Sequence, residues 1–515
     1  MESKVFDGPQ QDIPAVLANR DRRAKVQANL LQENPHQVVV TCKLNIPGPV
    51  KNSKAIRSFF ERGTQRLEDQ WMKTGQSFEL QTSRLESSTG PESFYLLYGN
   101  GTDVKRGTVS FEEATPFNRL FDLDVLINDH GEPHSLSRGE FNLPVRTCLI
   151  CGRPAKECGR SRRHSVEELQ AQVADLIEQG HQQAGRQQHA KQLADLAVEA
   201  MLSEVVTWPK PGLVDPVEHK AHPDMDVFTF IKSSTSLRPY FYKSAMVGLN
   251  FPLGQPWPKL FNQLRQLGQA AEVTMFAATN GVNTHKGTIF SLGILTGALG
   301  ALMKEGREIN QENIQQIVQA MLVNLLTTDL NDLRKGQDLT AGEQQYLAYG
   351  QTGIRGEAAS GFPTVFNFGL PALLNSNLTS QNDQQLDAFL CLARHTADST
   401  LIKRAGDPAI LDWKNQQLDQ FFELGGLTTS TGRDFLKQLE QVFSKRHLSL
   451  GGAADLLIIT IFLKLVMKAG DPNEPNNWWW NQIKLPASGN GAVLNLYSRF
   501  WRLPAGMDPT IRVLL

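Results

Sequence analysis

Apolar positions recur at helical spacing from Asp12 to Gln32, where Ile13, Val16, Leu17, Ala24, Ala28 and Leu31 are interleaved with Arg20, Arg22 and Arg23. That pattern predicts an amphipathic helix. Val38 to Ile46 is β-branched and predicts a strand, which Pro47-Gly48-Pro49 stops. Helical spacing returns from Ser53 to Met72 through Ile56, Phe59, Phe60 and Leu67, and Phe94 to Tyr98 is a further strand candidate. Between Arg119 and Ile127 the alternation is strict: a strand there sets Phe121, Leu123 and Val125 on one face and Asp122 and Asp124 on the other. Asp129-His130-Gly131 reads as a turn, and Ser135 to Phe141 as a second, polar strand.

Ser165-Val166-Glu167-Glu168 has the form of a capping box and predicts a helix running towards Gly180. Gly180 to His189 is polar, glutamine-rich and without an apolar period, and reads as a linker. From Gln192 onward the pattern is helical almost throughout. Leu193, Leu196, Ala197, Ala200 and Met201 form one stripe that also carries Glu204. Pro223 is expected at the first position of a helix, with His222 as its cap and Asp224 and Asp226 in the first turn. Leu264 to Ala278 predicts a helix with Glu272 at the margin of its apolar face. A loop follows over Thr279 to Gly287, and the next helix is expected from Thr288. The organisation is multidomain: residues 1–179, a linker over 180–191, an all-α domain over 192–468, and a tail over 469–515 to which no role is assigned.

Length supports that division, since 515 residues exceed one ordinary core. The net charge of -1, from 52 basic and 53 acidic residues, provides no global field for nucleic acid or a membrane surface, so neither is expected as a partner. Ile289 to Met303 is uncharged but short for a membrane span and reads as a buried helix. With no secretory pattern at the N-terminus and no disulfide framework among the cysteines, a cytoplasmic location is expected.

Candidate chemistry collects in three places. Asp122 and Asp124 on one strand face repel each other unless a cation sits between them, and Mg²⁺ with phosphate oxygens is the natural occupant. Arg119 stands beside them. Cys148, Cys151, Cys158 and His164 could form a zinc site. Their irregular spacing, with Arg153, Lys156, Arg160, Arg162 and Arg163 interleaved, favours a cationic loop that meets a pyrophosphate over a metal centre. The third place is Trp208 to Asp226 with Thr279 to Thr288. Prolines fix the backbone around Lys210, Gly212 lets it approach a ligand, and Lys286 converges with free N–H groups at a helix N-terminus. The absence of the Gly-x4-Gly-Lys spacing excludes a Walker A loop. Candidate substrate and phosphate ligands are Arg119, Arg160, Lys210, His222, Asn283, His285, Lys286, Gly287, Arg355 and Ser449. Magnesium is also expected at Asp224 and Asp226. Glu204, Asp215 and Glu272 are the candidate proton acceptors, and the sequence does not rank them.

Lys210-Pro-Gly-Leu-Val-Asp215, His222-x-Asp224-Met-Asp226 and Gly281-Val-Asn-Thr-His-Lys-Gly287 resemble the signature blocks of the triphosphoribosyl-dephospho-coenzyme A synthase family, which serves citrate lyase. The similarity runs from about Leu193 to Lys468. Asn45-Ile-Pro-Gly48, Arg119 to Asp124 and Arg146-Thr-Cys-Leu-Ile-Cys151 resemble the phosphoribosyl-dephospho-coenzyme A transferase that acts next, over about Asp12 to Leu169. The resemblance implies an α+β, nucleotidyltransferase-like first domain. It also implies ATP and 3′-dephospho-CoA as substrates, Mg²⁺ as cofactor and the apo acyl carrier protein of citrate lyase as partner. In that family ATP loses adenine and its triphosphoribosyl unit joins the 2′-hydroxyl of dephospho-CoA. The product is then attached to a carrier serine with loss of pyrophosphate. The rival readings are a sensor that binds a coenzyme A derivative without turnover, and the same chemistry serving malonate decarboxylase.

Overall fold

Helices and strands are interspersed in the first part of the chain: α1 (Ile13–Glu33), β1 (Val38–Leu44), α2 (Lys54–Lys73), β2 (Phe78–Arg84), β3 (Glu92–Leu97), α3 (Gly101–Glu113), β4 (Phe121–Asp129), β5 (Glu132–Ser135), α4 (Ala155–Arg160) and α5 (Val166–Val206). The computed structural model describes residues 4–218, 221–330 and 341–470. The chain forms two compact units divided between Gln188 and His189.

The strands of the first unit make one five-stranded antiparallel sheet in the order β2-β3-β1-β4-β5. Alternation sends Val38, Val40 and Cys42 of β1, Tyr95 and Leu97 of β3, and Phe121, Leu123 and Val125 of β4 to one face. There they pack with Phe59, Phe60 and Leu67 of α2 and with Val173, Leu176 and Ile177 of α5. The opposite face carries Val39, Leu96 and Leu126 against Leu31 of α1. Polar groups are buried on this second face too: Gln27 Nε2 donates to Thr41 Oγ1 at 2.8 Å, and the fully buried Glu92 pairs with Arg22 and Arg23. The strand expected over Ser135 to Phe141 is not formed, and the observed strand lies before it at Glu132–Ser135. β5 ends at Ser135, and Gly139–Phe141 is a 3₁₀ turn.

The expected linker is helical. Ser165 and Glu168 form the anticipated capping box, Ser165 N donating to Glu168 Oε2 at 2.8 Å and Glu168 N to Ser165 Oγ at 3.1 Å. The helix then continues through Gly180 to Val206. Glutamine is a good helix former, so a glutamine-rich stretch does not by itself break a helix. Gly180 is required by packing, because a β-carbon there would lie 2.5 Å from the Phe59 ring.

The second unit is helical, without a strand among its described residues: α6 (Val227–Leu249), α7 (Trp257–Ala278), α8 (Lys286–Glu305), α9 (Gln311–Met321), α10 (Leu325–Leu330), α11 (Ala341–Tyr349), α12 (Gly353–Ala359), α13 (Leu370–Leu374), α14 (Gln381–His395), α15 (Ser399–Ala405), α16 (Ile410–Glu423), α17 (Ser430–Lys445) and α18 (Gly451–Gly470). Its core includes Leu193, Ala197 and Met201 from the last turns of α5. Among the described residues α8 alone is long and apolar enough to cross a membrane, and it is largely buried inside this unit. α6 and α8 meet backbone to backbone. A β-carbon on Gly248 would collide with the Gly297 carbonyl, and one on Gly300 with the Ala245 carbonyl.

Two helix starts differ from expectation. α6 begins at Val227 with Asp226 as its cap, because Asp226 and Thr229 complete a capping box; Pro223 and Asp224 precede the helix. α8 begins at Lys286, two residues early, with Asn283 Oδ1 accepting from the Lys286 N–H at 3.2 Å. The tail from residue 471 lies outside the described residues.

Candidate active sites

In the first unit, antiparallel register sets Lys43 of β1 directly opposite Asp122 of β4, and Thr41 opposite Asp124. Directly paired residues share a face. Lys43 therefore lies between both carboxylates, with Nζ 2.8 Å from Asp122 Oδ2 and 2.5 Å from Asp124 Oδ2. Arg146 adds a second cation: Nη1 reaches Asp122 Oδ1 at 2.9 Å, while Nη2 donates to the carbonyls of Arg119 and Phe121. Burial pushes the Asp122 carboxyl up, but Lys43 and Arg146 outweigh it and hold the group below its usual range. The expected co-facial acids are thus brought together, already neutralised by two cations that the sequence reading did not select. Arg146 stood inside a quoted motif; Lys43 carried no signal, because cross-strand register is not written in one strand.

Arg119 does not face the aspartates. Its Nη2 donates to Thr147 O at 2.8 Å and to Thr147 Oγ1 at 2.7 Å, fixing the segment that delivers Arg146. Arg160 is exposed at the end of α4. The four zinc candidates, by contrast, converge: the ligand atoms offered by Cys148, Cys151, Cys158 and His164 all lie within 4.8 Å of one another.

In the second unit Glu204 and Lys210 form a buried ion pair, and Lys210 Nζ also donates to the Glu204 carbonyl at 2.6 Å. Burial raises the Glu204 pKa against the opposing pull of Lys210. Asp215 accepts from the backbone N–H groups of Lys210, Val217 and Glu218 at 3.3, 2.9 and 2.8 Å, so it organises the loop around Lys210. His222 ties that loop to the start of α18 through Gly212 O at 3.2 Å and Ser449 Oγ at 3.0 Å, and its other ring nitrogen meets Arg404 at 3.1 Å. Desolvation, then Arg404, lowers its pKa.

His285 is buried with Nδ1 2.7 Å from Ser233 Oγ. Burial, and Lys210 next, push its pKa down to about 3, so the ring is neutral, and Nε2 lacks a hydrogen-bond partner. Gly287 is a close approach: a β-carbon there would strike the Asp455 carboxylate, which accepts from Thr288 Oγ1 at 2.6 Å. Burial lifts Asp455 to about 7. Sequence reasoning did not select this residue.

Glu272 and Lys286 pair across the α7–α8 junction at 2.9 Å. Glu272 also lines a cavity of about 350 Å³ together with Arg265, Glu343 and Arg355, beside a wall that includes Tyr240, Phe261, Ile289 and Phe290. That volume is at the small end for ligand pockets, roughly 300–1,000 Å³. Asp224 is exposed in the turn before α6. Asp226 accepts from Thr229 N at 2.8 Å and Thr229 Oγ1 at 2.7 Å.

These two charged centres coincide with two matches to known proteins. The sequence pattern of the ATP:dephospho-CoA triphosphoribosyl transferase family matches residues 190–473, more than half of the chain. The chain belongs to that family. Residues 11–180 match the pattern of the apo-citrate lyase phosphoribosyl-dephospho-CoA transferase family, and the two matches together make it a fused, bifunctional transferase of citrate lyase prosthetic-group synthesis. Protein CitXG of Leuconostoc mesenteroides subsp. cremoris is 40% identical over 464 residues, 89% of this chain and 98% of its own length. A protein of Haemophilus influenzae with the same name is 29% identical over 88% of this chain. A probable 2-(5''-triphosphoribosyl)-3'-dephosphocoenzyme-A synthase of Lactiplantibacillus plantarum is 46% identical over 277 residues, covering 53% of this chain and 97% of its own length.

Proposed function

We propose that the second unit joins ATP to 3′-dephospho-CoA, and that the first, nucleotidyltransferase-like unit passes the product to a serine of the apo acyl carrier protein of citrate lyase in the cytoplasm. The observation that carries this reading is one charged centre in each unit, each inside the segment matched by the corresponding transferase family.

In the second unit the C1′–N bond of ATP breaks, adenine leaves, and the 2′-oxygen of dephospho-CoA bonds to C1′. The attacking hydroxyl must lose a proton as the oxocarbenium-like centre is captured. Glu204 is locked against Lys210 in the interior and Asp215 is committed to backbone N–H groups, whereas Glu272, although paired with Lys286, keeps its side chain 30% exposed and faces the cavity. Glu272 is therefore our proton acceptor. Lys286 and Arg355 bind phosphate, and the Lys210, His222, Asn283, His285, Gly287 and Ser449 network shapes the loops around them.

In the first unit the carrier serine oxygen attacks the phosphorus next to the ribose, and the bond to pyrophosphate breaks. Lys43 and Arg146 place positive charge where that leaving group develops negative charge, and the exposed Arg160 adds a further cation to the same unit. Magnesium takes hard oxygen donors. Asp122 and Asp124 fit it in kind, being carboxylates with side chains 38% and 37% exposed. When bound there, the ion would neutralise pyrophosphate. The Asp224 and Asp226 pair fits less well because Asp226 caps α6, and no step is assigned to a cation there. The test is paired assays on the full chain: adenine release that requires dephospho-CoA, and carrier labelling from preformed donor. Adenine release without dephospho-CoA, or carrier left unlabelled, contradicts the reading; a pure sensor would show neither reaction.

A further inference from the structure

The geometry points to a structural zinc ion held by Cys148, Cys151, Cys158 and His164 in the first unit. Three thiolates and one imidazole are a common closed zinc set, and Zn–S bonds of about 2.3 Å place sulfurs roughly 3.8 Å apart around a tetrahedral ion. Cys151 and Cys158 sulfurs are 3.9 Å apart, and the four ligand atoms all lie within 4.8 Å of one another.

Local structure supports the same occupant. Cys148-Leu-Ile-Cys151-Gly152 turns tightly, with Gly152 at φ +71 and the Ile150 N–H pointing at Cys148 Sγ at 3.5 Å. The arms of this turn close as a hairpin through Cys148 N to Arg153 O at 2.6 Å, Ala155 N to Arg146 O at 2.8 Å and a bridge between Thr147 and Pro154. α4 brings in Cys158, and His164 stands just before α5. His164 Nε2 is buried without a hydrogen-bond partner, while Nδ1 lies 3.9 Å from Glu168 Oε2. The buried Nε2 is thus left open to a metal, with a carboxylate near the other ring nitrogen.

The stretch has little other core. From residue 137 to 172 the only fully buried apolar side chains are Cys148 and Cys158, with Phe141 and Leu149 partly buried against the sheet's core. A segment with so little apolar burial gains from a staple that holds one conformation. The interleaved Arg153, Lys156, Arg160, Arg162 and Arg163 are all exposed, so they surround the thiols without occupying the space between them. The preference for a cationic loop over zinc is thereby reversed, although the cations remain available to phosphate. The site has a use: it anchors Arg146 and Thr147, and through them Asp122 and Arg119.

The test uses the full chain, purified under reducing conditions and analysed for metals by mass spectrometry, then stripped with a chelator and titrated with cobalt(II). We expect about one zinc per chain, and after cobalt addition the intense absorption of a tetrahedral, thiolate-ligated ion. Cys42→Ser and Cys391→Ser should leave both readings unchanged, whereas Cys151→Ser should weaken the charge-transfer band and His164→Ala should release zinc at lower chelator concentration. If the ligand variants do not fold, the cobalt spectrum of the unmodified chain decides. Reduced protein without stoichiometric zinc and with only weak octahedral cobalt absorption would overturn the proposal. So would a Cys151–Cys158 disulfide in metal-free, active protein.

Discussion

Lys43 joins Asp122 and Asp124 at the surface of a sheet, and Lys210 joins Glu204 in the interior of a helical unit. The chemistry is the same and the setting is opposite. The side chains of Lys43, Asp122 and Asp124 are 17%, 38% and 37% exposed, while Lys210 and Glu204 are 1% and 4% exposed. Water shares the first cluster, so its charges can exchange partners with an incoming phosphate at small cost. The second pair exchanges nothing without leaving a bare charge in a poor solvent. Location therefore sorts two similar ion pairs into different work: the exposed one is suited to substrate, and the buried one fixes a loop.

The largest expected effects test that sorting by activity. Glu272→Gln should lower adenine release by about 10²–10⁴-fold, the span of a lost general base, while carrier labelling from preformed donor is unchanged. Asp124→Asn should do the reverse. Loss of both reactions in either folded variant would show one shared site. Stability comes next. Lys210→Met leaves Glu204 buried and unpaired, and should destabilise the second unit by about 3–5 kcal/mol in urea unfolding. Lys43→Met should change the first unit by no more than about 1 kcal/mol. Equal losses would erase the contrast.

A smaller effect separates packing from propensity along α5. Gly180→Ala pushes a methyl group into Phe59 and should cost about 1–3 kcal/mol. Gly185→Ala meets nothing within 4 Å and should instead stabilise the helix by about 0.5–1 kcal/mol. A true linker would respond alike at both positions.

The last contrast lies in the pH dependence of the second unit. Between pH 3.8 and about 7 the folded chain keeps a proton on Asp455 that the unfolded chain has lost, so this group makes stability fall as pH rises through that window. His285 acts with the opposite sign. Its folded pKa of about 3 lies below the ordinary 6.5, so its contribution is complete above 6.5 and is lost as pH falls towards 3. Urea midpoints across pH should rise more steeply in Asp455→Asn and less steeply in His285→Gln than in the unmodified chain. Parallel curves would show that neither group is perturbed.

Much of this was legible wherever a signal is local. Alternation put Asp122 and Asp124 on one face, Ser165 and Glu168 announced their box, and the run around Ile289 to Met303 read as a core helix. What escaped depends on partners far along the chain. β2 was not foreseen because it is a largely exposed strand at the sheet edge with little apolar pattern. Gly180 punctuates nothing; its reason is Phe59. Lys43 needed the register of a strand some eighty residues away, and the altered Asp455 needed the burial that α8 and α18 create together. At the cysteines, spacing did not show that the four side chains converge, because a short helix and a hairpin absorb irregular intervals.

The seam where α6 and α8 touch has a consequence for how this sequence can change. Gly248 and Gly300 face backbone carbonyls, so even alanine is excluded at both, while Gly297 faces the methyl end of Leu264 on α7. Compensation is equally closed, since the obstructing groups at Gly248 and Gly300 are carbonyls that no exchange of side chain can shorten. In a library of random single substitutions these positions should stand as a silent strip across an otherwise permissive apolar helix. Adaptation of the second unit to new substrates is thereby steered to the α7–α8 loop and the helix ends, where variation leaves the seam untouched.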